Sequence, residues 1–413
     1  MNSDWTKVRL NELADITMGQ SPSSEHYNLE GIGLPFFQGC SDFGELYPSE
    51  RKYCSKPTRI AKRGDVLMSV RAPVGDLNIA NKECCIGRGV CSIRSKTGDR
   101  FVYYLLKVNL RLIQSYSGGT TYQSINKKEV NELPLFVPTL IIQQKIASIL
   151  SAYDNLIENN TRRIQILEEM AQRIYKEWFV DFKYPGYEND KLVDSELGMI
   201  PEGWEARCVS EYYDVRSGYA FKSKDMVEFG DYGIVKIKNI QSDGLKLDPI
   251  QYISEELIQD RAYNFELIEN DLLIAMTGAQ VGKVGLMPKS KDRFLLNQRV
   301  GKFFPKAEFE TNNMFMYQLS KSNIFQISVV NIAQGAAQPN ISGTQIGSIQ
   351  FPGPPSELIL RFEKLCESIK DEVLVLNFKN QKLNQTRDLL LPKLISGKID
   401  VSDLDIDTSI LND

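Results

Sequence analysis

Histidine is nearly absent from this chain. Its 413 residues include one, His26, which argues against histidine-based catalysis and against histidine-rich metal sites. The seven cysteines, Cys40, Cys54, Cys84, Cys85, Cys91, Cys208 and Cys366, form no Cys-x-x-Cys pair, and they read as reduced structural thiols. No run of about 18 apolar residues exists, so no membrane span is expected. The N-terminus has no basic stretch leading into an apolar one, so no secretory signal is expected and the chain reads as cytoplasmic. Excess positive charge is missing too. The 49 basic and 53 acidic residues give a net charge of −4, unlike the net basic domain of most stand-alone nucleic-acid binders. With 42% hydrophobic and 25% charged residues, the composition is that of an ordinary folded protein.

Familiar catalytic signatures are missing as well. There is no Asx-Pro-Pro-aromatic tetrapeptide of amino-methyltransferases. Gly278 to Val284 superficially resembles a phosphate-binding loop, but it has one residue too few between the glycines and Val284 where Ser or Thr is needed. It reads better as a glycine-bearing turn after a strand. No His-Glu-x-x-His occurs. The chain reads as non-catalytic and as holding no metal of its own.

What is present is an internal duplication. Trp5 to Gly19 matches Trp204 to Gly218 at a constant offset of 199, pairing Glu12 with Glu211 and Asp15 with Asp214. Gly64 to Ala80 matches Asn270 to Leu286, and Ile86 to Val90 matches Leu296 to Val300. Gly118 to Asn126 then matches Gln334 to Ser342 at an offset of 216, which persists through Leu133 to Pro138 and Ile349 to Pro354. A unit of about 200 residues is far longer than a solenoid repeat. It is a duplicated domain followed by a duplicated helix.

Within each half, Asp65 to Val70 and Asp271 to Met276 are short apolar runs that predict buried strands. Short helices are expected at Phe101 to Gln114 and Asn312 to Ser320. Proline-rich stops then precede long helical patterns. One steps through Ile142, Ile146, Ile149, Tyr153, Leu156, Asn160, Arg163, Leu167, Met170 and Ile174; the other through Ile369, Val373, Leu376, Asn380, Leu383, Arg387, Leu390 and Leu394. A 3.5-residue period sustained this long predicts a coiled coil, and polar seam residues fix register at some cost in stability. The fold class that follows is α+β, with two duplicated mixed α/β domains separated by two long antiparallel coiled-coil helices in a pseudo-two-fold arrangement. The boundaries are 1–138 and 204–354 for the domains, 139–182 and 355–398 for the helices, 183–203 for a linker and 399–413 for an acidic tail. The tail carries five Asp from Asp400 onward and no base, and predicts a solvated, partly disordered segment.

Loops that recur in both halves are rich in side chains that read base edges or phosphates. The first half offers Gln38, Ser41, Arg71, Arg88, Thr120, Thr121, Tyr122, Gln123 and Ser124. The second offers Lys236, Lys238, Asn239, Gln241, Thr277, Gln298, Arg299, Gln334, Gln338 and Asn340. Arg51 to Arg63 holds six bases and no acid, a stripe suited to phosphates. Two reading heads held by a helical ruler suit double-stranded DNA with a bipartite target.

Three blocks give the chain a family resemblance. They are the Trp-led starts of each half, the block Ile141 to Phe182 with Leu197 to Trp204 (LGMIPEGW), and the terminal RDLLLPKLISGKID, Arg387 to Asp400. With these the chain resembles the DNA-specificity subunit of type I restriction-modification systems over essentially its full length. The resemblance implies two target recognition domains, each reading one half of an asymmetric split sequence, with the helices setting the spacer. It implies two modification (methyltransferase) subunits docked on the helices, and restriction (translocase/nuclease) subunits that join them. S-adenosylmethionine, ATP and Mg then belong to those partners, and this chain carries no cofactor. Ser69 to Gly75 departs from the form of the matching second-half loop. The competing expectation is a coiled-coil scaffold without specific DNA recognition.

Overall fold

The computed structural model describes residues 5–118, 123–241, 244–307, 309, 311–333 and 339–408. The chain divides into two compact units. The first comprises 1–156 and 383–413, and the second 157–382.

In the first unit, strand Thr6–Arg9 pairs antiparallel with Pro134–Val137 and closes the globular part onto its own end. A four-stranded sheet runs in the order Ala14–Met18, Val90–Ser95, Val66–Ser69, Leu77–Ile79. A second sheet orders Tyr27–Asn28, Tyr53–Cys54, Leu34–Phe37, Cys84–Ile86, Ile60–Ala61, with Leu34–Phe37 parallel to Cys84–Ile86. The second unit repeats this plan. Glu205–Cys208 pairs with Gln350–Gly353. One sheet orders Tyr213–Ser217, Val300–Pro305, Leu272–Ala275, Val284–Leu286, and the other Gln251–Ile253, Tyr232–Val235, Arg293–Leu296, Glu266–Leu267.

The expected buried strands are Val66–Ser69 and Leu272–Ala275, buried at every residue. Their apolar runs, Val66 to Met68 and Leu272 to Ala275, lack alternation because each strand feeds two cores from its two faces. Val66 and Met68 pack with helix Phe101–Val108, whereas Leu67 packs with Phe37, Ala61 and Ile86. Leu272 and Ile274 likewise face one cluster, and Leu273 and Ala275 another. The helix expected from Phe101 to Gln114 is split at Asn109 into Phe101–Val108 and Leu110–Ser115. In the second unit Met314–Lys321 is followed by an additional helix, Asn323–Ala333, that the spacing did not reveal.

The long helices are Leu140–Phe179 and Ser356–Ile395, each 40 residues, or about 60 Å at 1.5 Å per residue. Residues of each belong to both units. Within the second unit they pack antiparallel through Ile164, Val373 and Leu376, with Leu167 alongside. Of the polar seam residues, the two asparagines partner each other there, and Arg163 pairs with a carboxylate beside the seam. The Asn160 amide donates to Asn380 Oδ1 at 2.9 Å, and Arg163 pairs with Glu372 at 2.7 Å. Within the first unit, Arg387 reaches Asp154 at 2.7 Å, and the Tyr104 hydroxyl donates to the other oxygen of that carboxylate at 2.5 Å. Leu156 and Met170 are exposed, because the helix ends turn Ala147 and Leu150, or Ala171, Tyr175 and Trp178, toward the globular parts.

The acidic tail is mostly exposed over its described length, as its charge suggests, but it is also anchored to the first core. Val401 is buried, and Ile399 and Ile406 pack against the first core. Lys145 Nζ donates to the Ser402 carbonyl at 2.7 Å, and Ser148 to that of Asp407 at 2.7 Å. Apolar residues spaced between the aspartates supply the anchorage that a charge count overlooks. Residues 409–413 lie outside the described part.

Candidate nucleic-acid interface

Most of the sequence-derived binding residues that the structure describes gather where the two sheets of each unit meet. In the first unit four backbone segments lie side by side there. Gly87 N donates to the Phe37 carbonyl at 2.9 Å, and Val70 N to that of Gly89 at 2.9 Å. Ala72 N donates to the Gln123 carbonyl at 3.1 Å, and Ile125 N to that of Val70 at 3.1 Å. Segments 37–38, 87–89, 70–72 and 123–125 thus form one continuous row. Its formation follows from the local sequence. Gly19 approaches so closely that a Cβ there would lie 2.2 Å from the Gly87 carbonyl oxygen.

The second unit reproduces the row bond for bond. Asn297 N donates to the Val235 carbonyl at 3.0 Å, and Met276 N to that of Arg299 at 3.0 Å. Gly278 N donates to the Pro339 carbonyl at 2.9 Å, and Ile341 N to that of Met276 at 2.9 Å. Gly218 takes the place of Gly19, and a Cβ there would meet the Leu296 carbonyl oxygen at 2.1 Å. The isolated bridges agree, Arg71 with Ser124 and Thr277 with Asn340. Arg88 therefore corresponds to Gln298, Arg71 to Thr277, Ser124 to Asn340 and Gln38 to Lys236. This correspondence places Arg71 on the row despite the sequence departure of its loop.

Along the first row, Gln38, Arg71, Arg88, Gln123 and Ser124 are all exposed. Ser41 is exposed in the short helical turn Cys40–Asp42 that follows Gln38. On the second row Gln298, Arg299 and Asn340 are exposed, and Thr277 is half-buried. Lys238 is exposed in the turn Ile237–Asn239, and Gln241 is half-buried in the next hairpin. Lys236 is partly committed already. Its Nζ donates to Gln251 Oε1 at 2.6 Å, and burial, followed by repulsion from Lys238, pushes its pKa down. Thr120, Thr121, Tyr122, Gln334 and Gln338 lie outside the described residues.

Asn239 departs from the sequence reading. It is buried, its Oδ1 accepts from Lys236 N at 3.0 Å, and its Nδ2 donates to the Lys246 carbonyl at 2.9 Å. Its hydrogen-bonding edge is consumed in holding a turn, so it has none left for a base. Asp42 does the same work in the first unit, where its Oδ2 accepts from Gln38 N at 2.7 Å. Sequence reasoning also missed Ser21, whose Oγ accepts from Arg88 N at 3.2 Å, and Tyr219, whose hydroxyl donates to Gln259 at 2.6 Å. The available signal was position, since both directly follow the paired glycines or their neighbours.

The duplicated carboxylates Asp65 and Asp271 belong to the scaffold. Asp65 holds Arg94 at 2.8 Å, and Asp271 holds Lys302 at 2.6 Å. Burial raises the pKa of Asp271 against the opposing pull of Lys302. Burial also pushes the Cys84 and Cys91 thiols up to about 12. Among the described residues, no group of three or more His, Cys, Asp or Glu side chains is placed to hold a metal. No described helix is long and apolar enough to cross a membrane.

The geometry thus offers two equivalent hydrogen-bonded rows that carry mostly exposed polar side chains, of the types that hydrogen-bond base edges and phosphates. Residues 2–169 and 201–360 both match the type I restriction modification DNA specificity domain. The MjaIX type I restriction enzyme specificity subunit of Methanocaldococcus jannaschii is 26% identical, over 97% of this chain and 95% of its own. The putative MjaX specificity subunit of that organism is 40% identical, over 41% of each chain. The crystal structure of a type I restriction-modification S subunit from M. genitalium matches with a TM-score of 0.58 at 19% identity, covering 95% of this chain and 96% of that one, a likeness of fold. Two matches to one domain model, falling on the two copies of one structural plan, place this chain in the type I restriction modification DNA specificity family.

Proposed function

We propose that this chain is the non-catalytic specificity subunit of a type I restriction-modification complex. It recognises an asymmetric, bipartite sequence in double-stranded DNA, with one half-site per globular unit. The observation that carries this reading is the outward polar row repeated hydrogen bond for hydrogen bond in both units of a chain from this family. The two rows bear different side chains at matching positions, Arg88 against Gln298 and Arg71 against Thr277. Identical backbones with different readers recognise different half-sites, because arginine favours guanine acceptors and glutamine pairs with adenine. The long helices set the spacer between half-sites and dock two modification subunits; restriction subunits join that core. S-adenosylmethionine, ATP and Mg are assigned to those partners, and the complex is assigned to the cytoplasm. Family membership favours this over a coiled-coil scaffold that reads no DNA.

The test is to map methylated adenines in cells expressing the chain with its modification subunit. Gln298→Ala or Arg299→Ala is expected to weaken one half-site only, by about 1–3 kcal/mol per lost bidentate base contact. Equal loss at both half-sites overturns the two-head assignment.

A further inference from the structure

The duplicated sheets permit a comparison of charge at equivalent strand positions. In the first unit, Cys54 lies opposite Leu34, and Ile60 opposite Cys85. In the second, Ile253 lies opposite Tyr232, and Glu266 opposite Leu295. The registers therefore equate Arg51 with Ile250, Lys52 with Gln251, Arg59 with Phe265, Lys62 with Ile268 and Arg63 with Glu269. The turns confirm the frame. Lys62 N donates to Asp65 Oδ2 at 2.9 Å as Ile268 N does to Asp271 Oδ2 at 2.8 Å, and Gly64 and Asn270 both have positive φ. Five of the six bases of this flank thus have a register-matched counterpart, and none of the five counterparts is basic; Lys56 lies in the connecting segment, which differs in length. The longer second-unit segment also adds Glu255, Glu256 and Asp260 against a single Arg261.

The basic flank is free and well placed. Arg51, Lys52, Lys56, Arg59, Lys62 and Arg63 are all exposed, and none of their side chains pairs with a described residue. The neighbouring Glu50 is held by Lys82 at 2.7 Å and by the Tyr53 hydroxyl at 3.1 Å. Three of the bases sit at the strand ends beside the polar row. The Lys52 carbonyl accepts from Phe36 N at 2.8 Å, one residue before Phe37. The Arg59 carbonyl accepts from Ile86 N at 3.0 Å, next to the turn that carries Arg88, and Thr58 Oγ1 donates to the Gln20 carbonyl at 2.6 Å.

From this juxtaposition we infer that the two units hold DNA unequally. The first unit extends its contact onto the phosphates that flank its half-site, through Arg51, Lys52 and Arg59. The second unit makes no such contact at the equivalent strands, because these present apolar, amide and carboxylate side chains. The salt-dependent, sequence-independent part of the affinity is therefore concentrated on one half-site. This rests on the DNA-reading function proposed above.

The experiment measures binding of the complex with its modification subunit to duplex bearing both half-sites, over a range of salt. The triple variant Arg51→Ala, Lys52→Ala, Arg59→Ala is expected to reduce the slope of log affinity against log salt by about 0.9 for each phosphate contact removed. Half-site preference and thermal stability should stay as in the unaltered chain. Glu255→Gln with Glu256→Gln should leave the slope unchanged. Phosphate-ethylation interference on the unaltered complex gives a second reading that needs no variant. Interference should extend beyond the half-site whose recognition Arg88→Ala weakens, and not beyond the other. An unchanged slope in the triple variant, or symmetric interference, overturns the inference while leaving sequence-specific reading intact. Absence of any sequence-specific binding by the unaltered complex overturns the functional reading itself.

Discussion

At the scale of the residue, the contrast between Asn239 and Gln298 separates holding from reading. Both are amides in loops of the second unit. Asn239 is buried with its amide bonded to backbone, whereas Gln298 is exposed on the row. Amide chemistry was visible in the sequence, but which amide keeps a free edge depends on burial. The paired charges behave in the same way. Asp271 and Lys302 are both buried, and each is the other's ion partner at 2.6 Å. Removing one partner of a buried pair leaves an uncompensated charge, at a cost of about 3–5 kcal/mol. Lys302→Ala is therefore expected to destabilise the protein by that order in chemical denaturation. Lys302→Met with Asp271→Asn alongside, which keeps an acceptor for Ile268 N, should recover part of the loss. A loss below 1 kcal/mol for Lys302→Ala would show that water reaches the site.

At the scale of the element, the buried strands and the long helices were legible for opposite reasons. Val66–Ser69 and Leu272–Ala275 show no alternation because both faces are covered, so a plain apolar run was the right signal. The helices showed periodicity without interruption by glycine over 40 residues each. Two polar seam positions meet each other, Asn160 with Asn380, whereas Arg387 pairs with Asp154 beside the seam. Inserting four residues near Asn160 adds about one helical turn, roughly 6 Å of helix. The expected outcome is a longer tolerated spacer between methylated half-sites in methylome sequencing. An unchanged spacer would show that the helices do not set it. The terminal segment is the element whose anchorage composition did not reveal, although most of its described residues are exposed. Val401 is buried, and full burial of a valine contributes about 1.5–3 kcal/mol. Ending the chain after Lys398 should lower the melting temperature of the first unit, as read by calorimetry. A truncated chain that melts like the full one would show that this docking adds nothing.

At the scale of the whole molecule, the net charge of −4 averages over surfaces with opposite character. The six bases between Arg51 and Arg63 are exposed and their side chains pair with no described residue, while the second-unit counterpart segment is net acidic. A chain average hides this, and only the matched strand register makes the two flanks comparable.

The duplication, the long helices, the buried strands and the family were determined by the sequence alone, because each leaves a periodic or repeated trace in residue order. Which loop residues stand together was decided by the tertiary structure. Gln38, Arg71, Arg88 and Ser124 are scattered over 87 positions of chain and meet only because parallel and antiparallel pairings align four backbone segments. The removal of Asn239 from the row, the docking of the acidic segment and the unequal flanks have the same origin. Burial, register and hydrogen-bond partnership are relations between distant residues, and residue order does not record them.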